Sequence, residues 1–464
     1  MSKQEVTLNR VLGFWQAYGV AVGLVVAGTT MVSLAYYFGL VGPVFFIPAF
    51  IALIVSLIVT LSYAELASAI PGAGMIAEYT LPAMGRSMAI FGVLSGYIVL
   101  VSAGGAMESI VSGLCAETVW GINYKLFAGL LLLLFLIVNL LGVEIYGMLQ
   151  LIMTIAMMAA LLILGTMGLL GVGTVNPMLE SVVFNPGGWN VVAQSIAGGI
   201  WLYIGIEYVC PMAEEIVQPE KNIPKAMIIG LLTIFVCDML FGEAILRYVD
   251  PAILTTSSVP QLEGARAMMG QNGVIFLAIA TILAGGSSIN SHVAAVPRML
   301  YGLARDGMLP RVFSYLHPKF RTPWVAIFAV AACLASPLLF SRDINGIMTM
   351  ISVACVTWLI SYIIAQIDVI ILRKTYPDLP RPFRSPFFPI PQVLGILACI
   401  YMILTIHPDP VIKRSVFMIA GAFCTVFMAY SLIWVKFVMK KNCFEPVALE
   451  EVEKSWHHEI EDVK

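Results

Sequence analysis

The stretch Tyr203-Ile-Gly-Ile-Glu207 places a glycine and a carboxylate inside an apolar segment, residues 191–213, that is long enough to cross a membrane. A charge at that depth is costly, so an ionisable residue inside a span indicates a functional site. Gly205 and Pro211 allow the backbone to leave the helix, which lipid tolerates only around a cavity or inside protein. The pattern predicts a broken helix that carries Glu207 at a binding site. The alternative is an acid that pairs with a neighbouring helix for packing alone.

The composition predicts an all-α membrane protein. Of the 464 residues, 60% are hydrophobic and 11% are charged, against about 25% charged in soluble domains. The eight cysteines lie mostly in apolar runs without CxxC pairs, so they are interpreted as small core residues. We therefore expect no metal site and no cofactor.

Apolar runs of about 20 residues predict about 12 transmembrane helices. The predicted spans are 13–38, 41–68, 88–115, 124–142, 147–173, 191–213, 222–247, 271–303, 323–341, 345–372, 389–407 and 413–438.

Loop charges orient these spans. With the N-terminus inside, 19 of the 25 Lys and Arg residues lie on the inner side, which satisfies the positive-inside rule. The sequence thus predicts a multi-pass plasma-membrane protein with a cytoplasmic N-terminus, residues 1–12, and a cytoplasmic tail, residues 441–464. The tail is charged, and we interpret it as solvated or partly helical.

A second interruption, Val26-Ala-Gly-Thr-Thr30, lies in span one, five helices before the break at Gly205. Two broken helices at this separation predict an inverted five-plus-five repeat with the binding site between them. The repeats would comprise residues 13–173 and 174–372, followed by two further helices in residues 373–440. Gly28 and Gly205 are expected in non-helical stretches that face each other.

Three further stretches resemble the amino acid–polyamine–organocation (APC) transporter superfamily. They are Tyr63-Ala-Glu-Leu-Ala-Ser-Ala-Ile-Pro71-Gly-Ala-Gly74, then Tyr203–Glu207 with Ala213-Glu-Glu-Ile-Val-Gln-Pro-Glu-Lys-Asn-Ile-Pro-Lys-Ala226, and Pro297-Arg-Met-Leu-Tyr-Gly-Leu-Ala-Arg-Asp-Gly-Met-Leu-Pro310 with Phe320-Arg-Thr-Pro323. The resemblance covers roughly residues 10 to 440. It implies the leucine-transporter fold, in which helices one and six unwind at a central site.

The resemblance also implies a substrate class, since this superfamily mostly carries amino acids, amines and polyamines by proton coupling or exchange. Its usual helix-one pattern is Gly-Ser-Gly, whereas this chain has Ala27-Gly28-Thr29. Ala27 and Thr29 narrow the space in which backbone amides approach a substrate carboxylate, and Thr29 adds a hydroxyl group, so the usual contact is weakened but not removed.

Helix ends at the two breaks suit a zwitterionic ligand. The start of the second half of span one has free N–H groups that can donate to a carboxylate. The carbonyls of span six can accept hydrogen bonds from an ammonium group. Trp201 and Tyr203 are candidates to close the site, although Trp201 is equally well explained as a packing aromatic. The predicted substrate-binding residues are Val26, Ala27, Gly28, Thr29, Thr30, Trp201, Tyr203, Ile204, Gly205 and Glu207.

Ion coupling has two candidates. Glu207 would carry a proton, because burial makes its carboxylate hard to ionise. Some family members have a lysine on helix five in place of a bound sodium ion, but here Met157 lies near that position. The hydroxyl groups of Ser287, Ser288 and Ser291 would then coordinate a hard cation such as sodium. The alternative is that these hydroxyl groups donate to carbonyls of their own helix.

Several other polar residues lie within or near the spans. Glu108, Asp238 and Glu243 are expected to face an outer vestibule or to reach out of the membrane, and Asp368 to pair with Arg373 or a neighbour. His292 is interpreted mainly as a hydrogen-bond partner between helices. Ion pairs that close an inner gate are expected from Glu65, Glu214, Glu215, Arg298 and Arg305.

The leading interpretation is a secondary active transporter that moves an amino acid or a closely related amine by alternating access, with proton coupling. The first alternative is an obligate exchanger without net ion coupling. The second is a non-transporting amino-acid sensor, which the short tail without a recognisable output domain disfavours. Channel and enzyme functions are disfavoured because the sequence lacks charge rings, a nucleophile elbow, a P-loop and a metal-ligand cluster. The expected partners are the lipid bilayer and a small molecule, and no nucleic acid.

Overall fold

The protein is described by a computed structural model that covers residues 10–175, 177, 183–336 and 344–455. These residues form helices and connecting segments, apart from an isolated β-bridge between Leu12 and Ile216. Nine of the described helices are long and apolar enough to cross a membrane, and three shorter apolar helices accompany them. The predicted fold class, an all-α membrane protein, is confirmed.

The helices form twelve spans that agree with the predicted ones to within a few residues at most ends. One continuous stretch, Gly28–Ala69, holds both the second half of span one and all of span two. In chain order the spans are Phe14–Val25 with Gly28–Val41, Phe46–Ala69, Arg86–Trp120, Tyr124–Leu141, Val143–Leu169, Gly188–Met212, Pro219–Leu246, Pro260–Arg305, Trp324–Ala335, Ile344–Thr375, Ile390–Leu404 and Pro410–Val438. Short helices outside the spans are Gly42–Phe45, Ile76–Met84, Pro251–Thr256, Arg311–Ser314 and Leu449–Ser455.

Two spans depart from the prediction. Span eight starts eleven residues earlier, at Pro260, but it is kinked at Gly270 and its membrane segment follows that kink as predicted. Span three contains two π-helical segments, Leu94–Ile98 and Val101–Gly105. Some predicted regions lie outside the described residues, namely 1–9, the end of span nine at 337–341, and 456–464 of the tail.

The two broken spans pair crosswise. The first half of span one packs against the second half of span six, and the second half of span one packs against the first half of span six. Spans five, seven and eight pack around the first half of span one. This crossed arrangement is what two inverted repeats produce, and it brings the breaks together at the centre of the protein.

The outer surface of the bundle is apolar. Span four exposes a continuous stripe on one face and buries Ala128, Leu132 and Phe135 on the other; the stripe consists of Leu126, Leu130, Leu133, Leu134 and Ile137. Spans eleven and twelve pack against spans two, three and ten from outside. An exposed apolar face of this length suits lipid hydrocarbon and would be unfavourable in water.

Candidate functional site

Span one is interrupted where Val26 and Ala27 leave helical geometry, with φ/ψ values of −82°/75° and −106°/168°. The carbonyl of Val25 no longer has a helical partner and accepts a hydrogen bond from the Thr30 hydroxyl at 2.6 Å. Gly28 begins the second half of the span. The prediction that Gly28 lies in the non-helical stretch is therefore wrong by one residue, because Ala27 completes the break.

Glu108 of span three caps the second half of span one. The Thr29 amide donates to its two carboxylate oxygens at 3.3 Å and 3.2 Å, and the Thr29 hydroxyl donates to Oε1. The indole N–H of Trp201 in turn donates to Thr29 Oγ1 at 3.2 Å. Glu108 is 2% exposed, so of the two expectations for it, the one that it reaches out of the membrane is wrong.

Span six is broken between two 3₁₀ segments, Ile200–Leu202 and Ile206–Met212. Tyr203 has φ −134°, and Gly205 has φ +105°, in the left-handed region that favours glycine. The break predicted at Gly205 is confirmed.

Glu207 lies in a cage of aromatic side chains. Its carboxylate accepts hydrogen bonds from the Trp358 indole at 2.6 Å, the Tyr362 hydroxyl at 2.7 Å and the Tyr97 hydroxyl at 3.3 Å. Tyr97 also contacts the hydroxyl of Tyr63 at 3.1 Å. Three neutral donors from spans three and ten therefore hold this carboxylate and tie both spans to span six.

A small cavity lies between the two breaks. Five predicted ligand or ion residues line it, namely Ala27, Thr30, Trp201, Ile204 and Ser288. Eight predicted residues stand outside the lining set, namely Val26, Gly28, Thr29, Tyr203, Gly205, Glu207, Ser287 and Ser291. The rest of the lining consists of residues that sequence reasoning did not assign to the site, namely Leu24, Val25, Leu100, Gly104, Glu108, His292 and Trp358. Of these, Trp358, Glu108 and His292 could have been singled out from the sequence, because each is an aromatic or polar residue within an apolar span.

Two of the three predicted serines of span eight, Ser287 and Ser291, are engaged by protein groups. Ser287 donates to the carbonyl of Gly23 at 2.8 Å, and the Gln150 amide donates to the hydroxyls of Ser287 and Ser291, both at 2.8 Å. The Gln150 carbonyl oxygen accepts from Asn290 at 2.9 Å. The residue of span five that faces these serines is thus Gln150, about two turns before Met157. An uncharged amide supplies the hydrogen-bond donor at this place.

Ion pairs close the face of the bundle that carries the N-terminus. Arg298 makes a two-fold contact with Glu215 at 3.1 Å and 3.2 Å, and both side chains are 2% exposed. Arg305 contacts Glu78 at 2.9 Å and Glu214 at 3.6 Å. In addition, Arg373 and Arg381 pair with Glu65. The ion pairs predicted for this face are confirmed.

Glu78 belongs to the same network but lies outside the spans, in the short helix Ile76–Met84. Burial raises the pKa of its carboxyl group to about 7, and the guanidinium of Arg305 opposes that rise.

The remaining polar residues have local partners or are buried. Asp368 accepts from the Thr80 hydroxyl at 2.6 Å and is not paired with Arg373. Glu243 pairs with Arg247 one turn away. Asp238 is 1% exposed, so of the two expectations for it, the one that it reaches out of the membrane is wrong. The Nδ1 atom of His292 lies 3.2 Å from the hydroxyl of Tyr208, so its expected role as an interhelical hydrogen-bond partner is confirmed, although it also lines the cavity.

Comparison with known proteins gives consistent matches. A family model described as "Amino acid permease" matches residues 12–437. The branched-chain amino acid permease BcaP of Bacillus subtilis is 25% identical over 461 residues, covering 92% of this chain and 94% of its own. The serine/threonine exchanger SteT of Bacillus subtilis is 26% identical over 358 residues, covering 74% and 78%. A crystal structure of the Eremococcus coleocola manganese transporter shares the fold, with a TM-score of 0.64, 11% identity, and coverage of 95% of this chain and 99% of that one.

We expect Gly205→Ala to destabilise the protein. A Cβ atom at Gly205 would lie 2.0 Å from Leu24 Cδ2, so Leu24 must move. The left-handed backbone adds about 1–2 kcal/mol for a residue with a Cβ atom. The melting temperature in detergent should fall clearly. Gly421→Ala is the matched control, because that helical glycine has no atom within 4 Å of the added group. Equal melting temperatures for the two variants would contradict the described break.

Proposed function

The chain belongs to the amino acid permease family of the APC superfamily, and we propose that it is a secondary active transporter for an amino acid or a closely related amine. The family and the relatives above are transporters, so the chain is a membrane transporter and not an enzyme. The observation that carries the proposal is the cavity between two broken spans, closed on one face by ion pairs. Such a site is exposed to each side in turn when one repeat moves against the other.

Coupling to protons is the mode we favour, and exchange of substrate for product is the alternative. A relative named as an exchanger supports that alternative. Uptake of labelled amino acids and amines into proteoliposomes separates the two modes. Proton coupling predicts accumulation in vesicles without internal substrate when the outside is more acidic than the inside. Uptake that requires preloaded substrate and does not depend on the pH gradient would favour exchange. Ligand binding without any flux would favour a sensor.

Within this proposal, Glu207 carries the coupling proton. The competing role is a brace, which the three hydrogen bonds from Trp358, Tyr362 and Tyr97 support. Glu207→Gln keeps the shape of the side chain and removes its charge. We expect this variant to bind and exchange substrate but to lose accumulation driven by a pH gradient, as measured in the same vesicles.

The control for Glu207→Gln is Tyr362→Phe. This variant removes a hydrogen bond at 2.7 Å from the carboxylate but leaves the carboxylate in place. If Glu207 carries the proton, Tyr362→Phe should retain accumulation driven by a pH gradient. Unchanged pH-driven accumulation in Glu207→Gln would reduce Glu207 to a brace.

The face that carries the ion pairs is proposed to be cytoplasmic, in the cell membrane, with both termini on that side. The charge bias of the loops supports this orientation. Thr256, exposed between spans seven and eight, is the test position on the opposite face, and exposed Lys319 is the matched position on the proposed cytoplasmic face. In a cysteine-free background, Thr256→Cys should react with an impermeant maleimide in intact cells. Lys319→Cys should react only after permeabilisation, and the reverse pattern would invert the orientation.

A further inference from the structure

The chain itself fills the place where a ligand carboxylate would bind. Free amides at the start of a helix, together with its dipole, attract an anion. At the start of the second half of span one these amides already face the Glu108 carboxylate, through Gly28 and Thr29. A Cβ atom added at Gly28 would lie 3.2 Å from Glu108 Oε2, so the fit is close. A ligand carboxylate would have to displace Glu108 to reach the same donors.

Among the described residues that line the cavity, there is no Lys or Arg whose permanent charge would balance a second carboxylate. The other titratable group in the wall is His292, which uses Nδ1 for Tyr208. The hydrogen bonds to the Glu108 carboxylate come from neutral groups, and a buried carboxylate of this kind gains most from a cationic partner. The wall therefore favours a ligand with a positive charge and no negative one.

The remaining lining supports a small cation with an apolar body. Leu24, Val25, Leu100 and Ile204 supply aliphatic surface, while Trp201 and Trp358 are aromatic residues whose ring faces attract cations. Ser288 and Thr30 add hydroxyl groups.

We propose that Glu108 determines the substrate class: it excludes a ligand carboxylate from the start of the second half of span one and pairs with the ammonium group of a primary amine. The substrate is then a small amine without a free carboxylate, and not a zwitterionic amino acid. This inference rests on the transport function proposed above. Of the two substrate classes named there, amino acids and amines, it selects the amines.

The test uses pairs of ligands that differ by a single carboxyl group. Purified full-length protein is titrated with leucine and 3-methylbutylamine, and with phenylalanine and 2-phenylethylamine, by calorimetry and thermal shift at pH 7. We expect the amine of at least one pair to bind at least tenfold more tightly than its amino acid. Glu108→Gln should weaken amine binding at least tenfold and leave amino acid binding unchanged or stronger.

Two further variants complete the design. Glu108→Asp keeps the negative charge and should keep the preference for amines. If it does, the weaker amine binding of Glu108→Gln comes from the lost charge and not from a folding defect caused by any change at this position. Glu263→Gln removes a partly exposed carboxylate that pairs with Arg266, and it should change the affinity for neither the amine nor the amino acid.

The outcomes separate this inference from the transport function. Equal or tighter binding of the amino acids by the unmodified protein overturns the role of Glu108 but leaves the transporter in place. The same conclusion follows if Glu108→Gln weakens both members of a pair equally. Absence of binding and flux for every amine and amino acid overturns both proposals.

Discussion

Backbone groups inside a membrane must find hydrogen-bond partners within the protein, and the centre of this structure depends on that constraint. Two spans give up helical hydrogen bonds where they pack against each other at the centre of the protein, and side chains supply part of the missing partners. The Thr30 hydroxyl donates to the carbonyl of Val25, and the Glu108 carboxylate accepts from the amide of Thr29. In span six, the amide of Gly205 donates to the Tyr362 hydroxyl at 3.4 Å. The breaks are stable in lipid because other spans supply these groups, so the site and the helix packing are parts of one arrangement.

The two buried carboxylates beside the breaks have different surroundings, which separates their roles. Glu207 is enclosed by aromatic donors from spans three and ten and stands outside the cavity lining. Glu108 lines the cavity and contacts the start of a helix. A carboxylate held by donors from two other spans is placed so that a change in its charge acts on the arrangement of those spans. One that borders the ligand space acts directly on what can bind there.

Hydropathy, glycine placement and loop charge were enough to predict the twelve spans and the break in span six, because lipid imposes them on any sequence. The position of Glu108 was beyond this reasoning. Two π-helical segments, Leu94–Ile98 and Val101–Gly105, precede it and change the rotation of the helix, so the face that Glu108 occupies does not follow from a regular period. Similarly, Gln150 and Met157 lie on the same apolar span, and only the packing of spans one and eight selects Gln150 as the partner of the serines.

The ion pairs on the N-terminal face are well suited to the alternating access proposed above, in which a closed face must also open. Burying Arg298 and Glu215 removes both from water, and their attraction repays that loss only in part, so a buried pair contributes little net stability. When the face opens, both groups regain hydration, and the free-energy difference between the closed and open forms stays small. Removing only one of the two partners is unfavourable, since the other is left as an isolated buried charge. A contact of this kind therefore fixes the geometry of the closed form without locking the protein in it, whereas an apolar seal of similar area would oppose opening through the hydrophobic effect.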